Sequence, residues 1–71
     1  MAMKTYLVGD RVLTNDIEWG TIIREDYPET GWFLVRLDSG RESLADASRM
    51  LSANAAERIW GHRDPQQTTD R

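Results

Sequence analysis

The chain has 71 residues, no cysteine and a formal net charge of −3, which limits it to one small domain and excludes disulfides, thiolate zinc sites and cysteine nucleophiles. Residues 9–51 carry nine acids against five arginines, a net charge of −4, so general binding to duplex nucleic acid is disfavoured. Because no signal peptide or membrane-spanning apolar run is visible, we expect a cytoplasmic protein with no membrane partner.

Short apolar segments separated by turn residues predict five β-strands. The intervening stretch at 26–31 is predicted to be a loop, because Pro28 lacks an amide donor and Gly31 accepts a positive φ. A one-turn 3₁₀ segment fits within residues 45–49. The predicted strands are residues 10–14, 20–25, 32–37, 41–44 and 50–51.

The strongest predicted strand, WFLVRL at 32–37, is apolar on both faces, although a strand buried on one face needs only alternate apolar residues. It is followed by Asp38, Ser39 and Gly40, which suit a three-residue hairpin loop with a type I turn and a bulge. The chain is therefore expected to turn back and pair residues 41–44 with this strand.

Alternation within the strands predicts one small hydrophobic core. In the second strand Ile22 and Ile23 compete for the inward position. The predicted core residues are Val12, Ile22, Phe33, Val35, Leu37 and Leu51.

A short helix is predicted after the last strand. Asn54 and Glu57 have the spacing of a capping box, which predicts a helix that begins at Asn54 and ends near Trp60, with Gly61 as its stop. Deleting residues 54–71 is expected to destabilise the fold because it removes Ile59 and Trp60.

The predicted domain comprises residues 1–61. Residues 62–71 (HRDPQQTTDR) contain no apolar side chain and are predicted to form a flexible tail. We therefore expect their removal to leave the stability unchanged.

Four motifs resemble those of SH3-like small β-barrels of the Tudor and KOW type. They are VGDRV at 8–12, GTI at 20–22, FLVRLDSG at 33–40 and ML at 50–51, so the resemblance covers about residues 8–51. It implies an all-β fold, a five-stranded barrel that is closed or nearly closed. The chain lacks the basic loops of KOW proteins, and this fold serves many unrelated functions.

The surplus apolar face of the third strand is the first candidate site. If Phe33, Val35 and Leu37 point into the core, Trp32, Leu34 and Arg36 point outward, and an exposed apolar patch usually marks an interface. The patch would bind a protein partner or a second copy of the chain. The alternative is that Ile59 and Trp60 fold back over it.

Two further candidate ligand sites remain open. Trp19, Tyr27 and Trp32 lie in or beside loops, and the Tudor resemblance implies a cage for a methylated cation, with Glu18 or Asp26 supplying charge. The alternative is that Trp19 and Tyr27 close the ends of the barrel.

Arginines form the second of these sites. Arg24, Arg36 and Arg41 would share one surface if the second, third and fourth strands are adjacent, and arginine binds phosphate or carboxylate. The alternative is that they pair within the chain, with Glu25, Asp38 and Glu42.

Catalysis has little support from the sequence. His62 is the only histidine, so we predict no metal, no cofactor and no enzymatic activity. The predicted function is a non-enzymatic binding or assembly module, most simply a two-fold homodimer. The alternative is a small acidic inhibitor or sequestering protein, of the phage or plasmid type, that binds a nucleotide or blocks a nucleic-acid enzyme.

Overall fold

The computed structural model describes residues 6–26 and 31–66. Five strands form one antiparallel sheet in the order β4-β3-β2-β1-β5, which confirms the all-β class. The strands are β1 (Arg11–Thr14), β2 (Trp19–Asp26), β3 (Trp32–Leu37), β4 (Glu42–Asp46) and β5 (Met50–Ser52). Strands β4 and β5 are the two edges, so the sheet is not closed into a barrel.

The connections between the later strands follow the sequence closely. The Leu37 amide donates to the Arg41 carbonyl (2.7 Å), and the Gly40 amide, at φ 100°, donates to the Leu37 carbonyl (2.8 Å). This is the predicted three-residue hairpin loop. A 3₁₀ turn, Ala47–Arg49, joins β4 to β5 within the predicted segment.

A β-bulge in β2 decides between the two neighbouring isoleucines. The pairing of β2 with β3 shifts between Ile22 and Arg24, which makes Ile23 the extra residue. Ile22 is therefore buried and Ile23 is half-buried. After the bulge, Arg24 pairs with Leu34 on the side of the sheet away from the core.

The core lies on one side of the sheet, which we call the inner face. Five of the six predicted residues are buried there, but Leu51 is only half-buried and Met50 takes its place. The reason is register, because Met50 pairs with Thr14 whereas Leu51 pairs with Leu13 on the opposite face. The inner core consists of Tyr6, Val12, Ile22, Phe33, Val35, Leu37, Ala47 and Met50.

Tyr6 closes this core from the N-terminal side. Its ring meets Phe33 edge-on, with centroids 5.7 Å apart and planes at 89°. Its hydroxyl donates to the Met50 carbonyl at 3.1 Å, so the polar end is satisfied. Burial raises the pKa of this hydroxyl.

A helical segment, α1, covers the other side of β1 and β5, which belongs to the outer face of the sheet. It comprises Ala53–Ala55 in α form and continues as Ala56–Trp60 in π form. Leu13 of β1 is fully buried beneath this segment, and Ala56 of the segment itself is fully buried as well.

The predicted start of this helix was wrong and its end was right. Ser52 is the N-cap, because its hydroxyl accepts from the Ala55 amide at 3.2 Å, two residues before the predicted Asn54. Gly61 ends the segment in the left-handed conformation at φ 73°. Ile59 and Trp60 are 62% and 40% exposed, so they contribute less burial than expected.

The turn between β1 and β2 holds a strained residue. Ile17 has φ 62°, a conformation that costs a β-branched side chain about 1–2 kcal/mol. Its amide donates to the Thr14 carbonyl at 2.9 Å, while its side chain is 50% exposed. The turn therefore holds Ile17 in a backbone conformation that isoleucine disfavours.

We predict that Ile17→Gly stabilises the protein. Relief of strain exceeds the added chain entropy of glycine, for a net gain of about 0.5–1 kcal/mol, or roughly 4 °C in melting temperature. Thermal unfolding followed by circular dichroism measures it. Asp16→Gly, at a position with ordinary φ, serves as the control and should lower the melting temperature; a lower value for Ile17→Gly would contradict the strain.

Candidate functional site

The outer face of β2, β3 and β4 presents three cross-strand rows, each centred on an outward residue of β3. These central residues are the predicted Trp32, Leu34 and Arg36. The bulge places Arg24 in register with the middle row. The rows are Asp26–Trp32–Asp46, Arg24–Leu34–Leu44 and Thr21–Arg36–Glu42.

Three apolar side chains form what we call the outer patch: Trp32, Leu34 and Leu44. Trp32 and Leu34 are half-buried, and Leu44 is 47% exposed. Leu44 was not among the predicted site residues. Leu44 lies on β4 directly opposite Leu34 of β3. Counting residue pairs outward from the predicted hairpin loop would have predicted this position from the sequence.

The C-terminal helical segment packs mainly on the other half of the sheet. Its first part, Ala53–Ala55, packs against β1 and β5, and Trp60 lies beside Arg49 and Leu51. Within residues 6–26 and 31–66, no helical segment packs against β3 or β4 to the same extent.

Exposed ion pairs flank the patch. Arg36 pairs with Glu42, and Arg24 pairs with Asp26, each at 2.8 Å. Hydrogen bonding from Arg24 lowers the pKa of Asp26. Such pairs add little stability in water, but they fix the charge pattern around the patch.

The three arginines of the predicted arginine surface make different contacts. Arg24 and Arg36 share the outer face but are each engaged by a carboxylate of the chain. Arg41 follows the hairpin loop, where its carbonyl accepts from Leu37. Asp38, considered above as a partner of these arginines, bonds instead to Arg11.

The predicted aromatic residues lie apart. Trp19 begins β2, and its carbonyl accepts from Asp38 at one end of β3; Trp32 lies at the other end of β3, across from Asp26. Glu18 precedes Trp19, so each indole has one of the two predicted acids beside it. Tyr27 lies outside the described residues.

Arg11 is the residue that sequence reasoning missed. All five of its N–H donors are used: two go to each of Asp38 and Asp64 and one goes to Thr21, at 2.8–2.9 Å. Its guanidinium carbon also lies 5.9 Å from the ring centroid of Trp19. We call this group the Arg11 hub.

Asp64 changes the interpretation of the C-terminal residues. Asp64 is only 2% exposed, and its carboxylate also accepts a hydrogen bond from the Gln66 amide at 3.0 Å. Asp64 lies within residues 62–71, the segment predicted to form a flexible tail, and it is bound to Arg11 through both carboxylate oxygens. The segment has no apolar side chain to bury, but an aspartate held by two guanidinium N–H groups gives it an anchor.

The hub shifts the pKa values of its members. Hydrogen bonds from Arg11 lower the pKa of both Asp38 and Asp64. The same bonds raise the pKa of Arg11 above its ordinary value. All three groups are thus charged at neutral pH, and together they carry one net negative charge.

A groove of about 330 Å³ runs along β4 and also touches Leu37 of β3. Its opposite wall is the β1–β2 turn, including Asp16 and Glu18, and it reaches Trp32 and Arg49 at its end.

In the part of the chain that the structure describes, no cluster of three or more His, Cys, Asp or Glu side chains could hold a metal ion. Among those same residues no helix has the length and apolarity needed to cross a membrane.

No protein-family model, curated protein or solved structure matches this chain.

We predict that Asp64→Asn destabilises the protein. The substitution removes a buried charge-assisted fork and turns an amide toward Arg11, at a cost of about 2 kcal/mol, or roughly 10 °C in melting temperature. His62→Ala, at an exposed neighbouring position, is the matched control and should change stability by less than about 0.5 kcal/mol. Equal thermal unfolding curves for the two variants would show that the hub contributes nothing.

The hub also predicts an acid-dependent difference. Because the folded pKa values of Asp38 and Asp64 lie below the unfolded value of about 3.9, their contribution is complete above that value and is lost as the pH falls through the folded values. The melting temperatures of the parent and Asp64→Asn proteins should converge below about pH 4. A gap that stays constant from neutral pH to about pH 2 would contradict this assignment.

Proposed function

We propose that this chain is a non-enzymatic binding and assembly module that docks a protein through its outer patch. The observation that carries the proposal is the apolar cluster on the outer face of the sheet, in which Leu44 is exposed and Trp32 and Leu34 are half-buried. A face of this kind is typical of an interface. We also propose that the fold is SH3-like, since the strands and the hairpin loop fall where the Tudor- and KOW-like motifs place them.

The occupant that fits the outer patch is a second copy of the chain. The outward residues of β3 read Trp32, Leu34, Arg36 along the strand. If two copies stack face to face with their β3 strands antiparallel, Leu34 lies over Leu34 and each Trp32 lies over the other copy's Arg36. Arginine over an indole is a favourable cation–π arrangement, and two-fold self-complementary contacts are the commonest in homo-oligomers.

The size of the face sets the strength of this contact. Strand spacing and rise give the outer face of β2, β3 and β4 an area of roughly 300 Å² per copy. Stable interfaces bury about 800 Å² per partner. The dimer is therefore weak and concentration-dependent, with Trp32 as its main energetic contributor.

The alternative function, an acidic protein that binds a nucleotide, lacks comparable support. It would need arginines available for phosphate, and Arg24 and Arg36 are already engaged by Asp26 and Glu42. The non-enzymatic part of the proposal rests on the sequence, in which the single histidine, His62, lies in the exposed C-terminal segment.

We predict that Trp32→Ala combined with Leu34→Ser dissociates the dimer. At about 100 µM, light scattering should give a mass above that of the monomer for the parent protein and the monomer mass for the variant. The far-UV circular dichroism spectrum should be unchanged, because both side chains lie outside the inner core.

The control replaces two apolar residues away from the patch. Leu7 and Val8 are each 69% exposed, so Leu7→Ser with Val8→Ala removes similar surface elsewhere. This control should keep the mass of the parent. A monomer mass for the parent protein, or dissociation by the control alone, would overturn the proposal.

A further inference from the structure

Strand β4 is a sheet edge whose free backbone groups can be assigned. The hairpin bond from Leu37 to Arg41 marks a hydrogen-bonded pair, and bonded and non-bonded pairs alternate along an antiparallel ladder. Ser43 and Ala45 therefore bond to β3. The amides and carbonyls of Glu42 and Leu44 point away from β3, and no described strand pairs with them.

The side chains on this edge have a regular charge pattern. On the outer face, β4 presents Glu42, Leu44 and Asp46 in alternation, an apolar residue between two carboxylates. Glu42 accepts from Arg36 through Oε2, and its side chain is still 44% exposed. Asp46 uses one oxygen, Oδ1, for its two bonds to Ser48. The backbone hydrogen bond from Ser48 is the main cause that lowers the pKa of Asp46, so this carboxylate is charged at neutral pH.

The groove described above provides space along the same edge. It touches Ser43 and Ala45, which face inward, and also Leu44 and Asp46, which face outward. A groove that contacts both faces of one strand lies at that strand's edge. Its far wall carries Asp16 and Glu18, and Arg49 is the one cation among its described lining residues.

Charge excludes a second β4 from this edge. An antiparallel pair of β4 strands centred on Leu44 would set Glu42 of each copy directly opposite Asp46 of the other. Like charges in directly opposed positions destabilise a sheet. The edge is therefore protected against self-pairing and complementary to a strand of opposite charge.

We propose that the β4 edge binds an extended segment of another protein in which two basic residues flank an apolar one at alternate positions. The bound segment adds a sixth strand and bonds to the outward backbone groups of Glu42 and Leu44. Its cations lie opposite Glu42 and Asp46, and its apolar residue lies opposite Leu44. This goes beyond the proposed dimer, because it needs neither a second copy nor Trp32.

Three synthetic peptides test the recognition pattern. TKTVTRT has the alternating pattern, TETVTET reverses its charge, and TTKRVTT keeps the composition of the first while breaking the alternation. We expect TKTVTRT to bind at least about tenfold more tightly than either control, from two cross-strand charge pairs. Isothermal titration up to about 1 mM peptide measures this ratio.

Amide hydrogen exchange by NMR locates the binding. On addition of TKTVTRT, the amides of Glu42 and Leu44 should gain protection, whereas those of Ser43 and Ala45 are already bonded to β3. Leu44→Pro removes one outward amide without removing a bond to β3, and it should abolish binding. Glu42→Gln with Asp46→Asn, which keeps an acceptor for Ser48, should remove the preference for the basic peptide.

Leu34→Ser, at an outer-patch residue that does not line the groove, separates this proposal from the dimer. It should bind TKTVTRT as the parent does, whatever its mass. The proposal is overturned if no peptide binds, if the basic and acidic peptides bind equally, or if binding leaves the exchange of Leu44 unchanged. Retained preference in the Glu42→Gln and Asp46→Asn variant would overturn it as well.

Discussion

The hydrogen-bonded fork of Arg11 is the interaction on which the arrangement of this chain depends. One guanidinium joins four parts of the sequence: β1, Thr21 in β2, Asp38 in the hairpin loop and Asp64 beyond the helix. A lysine could not replace it, since three donors on a point charge cannot form two forks. In a small domain with a modest core, this contact ties the C-terminal segment to the sheet.

That anchor divides the outer face of the sheet into two halves. On the half formed by β1 and β5, Leu13 is buried beneath α1, and Arg11 donates hydrogen bonds to Asp64. Among the described residues, no helical segment packs against β3 or β4 to a comparable extent, and Leu44 of the outer patch is exposed. The same division leaves β4 as a sheet edge, so the surface proposed for a second copy and the edge proposed for a foreign strand adjoin each other and share Leu44.

The parts of this structure that local chemistry determines were accessible from the sequence. Turn residues located the hairpin loop, alternation located five core residues, and glycine located the end of the helix. Features that depend on contacts between distant parts of the chain could not be predicted from the sequence. The register of β5 against β1 decides between Met50 and Leu51, and only the partner strand shows that Ile23 is a bulge. With 12 acids and nine basic residues, nothing local singles out Asp64 as the partner of Arg11, and the same ambiguity affected Arg24 and Asp38.

Under the proposed function, the half of the outer face over β3 and β4 meets a partner, whereas the half under α1 does not. The chain carries three tryptophans, and they report on different regions: Trp19 at the hub, Trp32 in the outer patch and Trp60 on α1. Fluorine NMR of 5-fluorotryptophan-labelled protein, diluted from about 1 mM to about 10 µM, follows all three at once across the range of a weak dimer. We expect the Trp32 signal to shift with concentration and the Trp19 and Trp60 signals to stay constant. A constant Trp32 signal, or a shift at Trp60 alone, would contradict it.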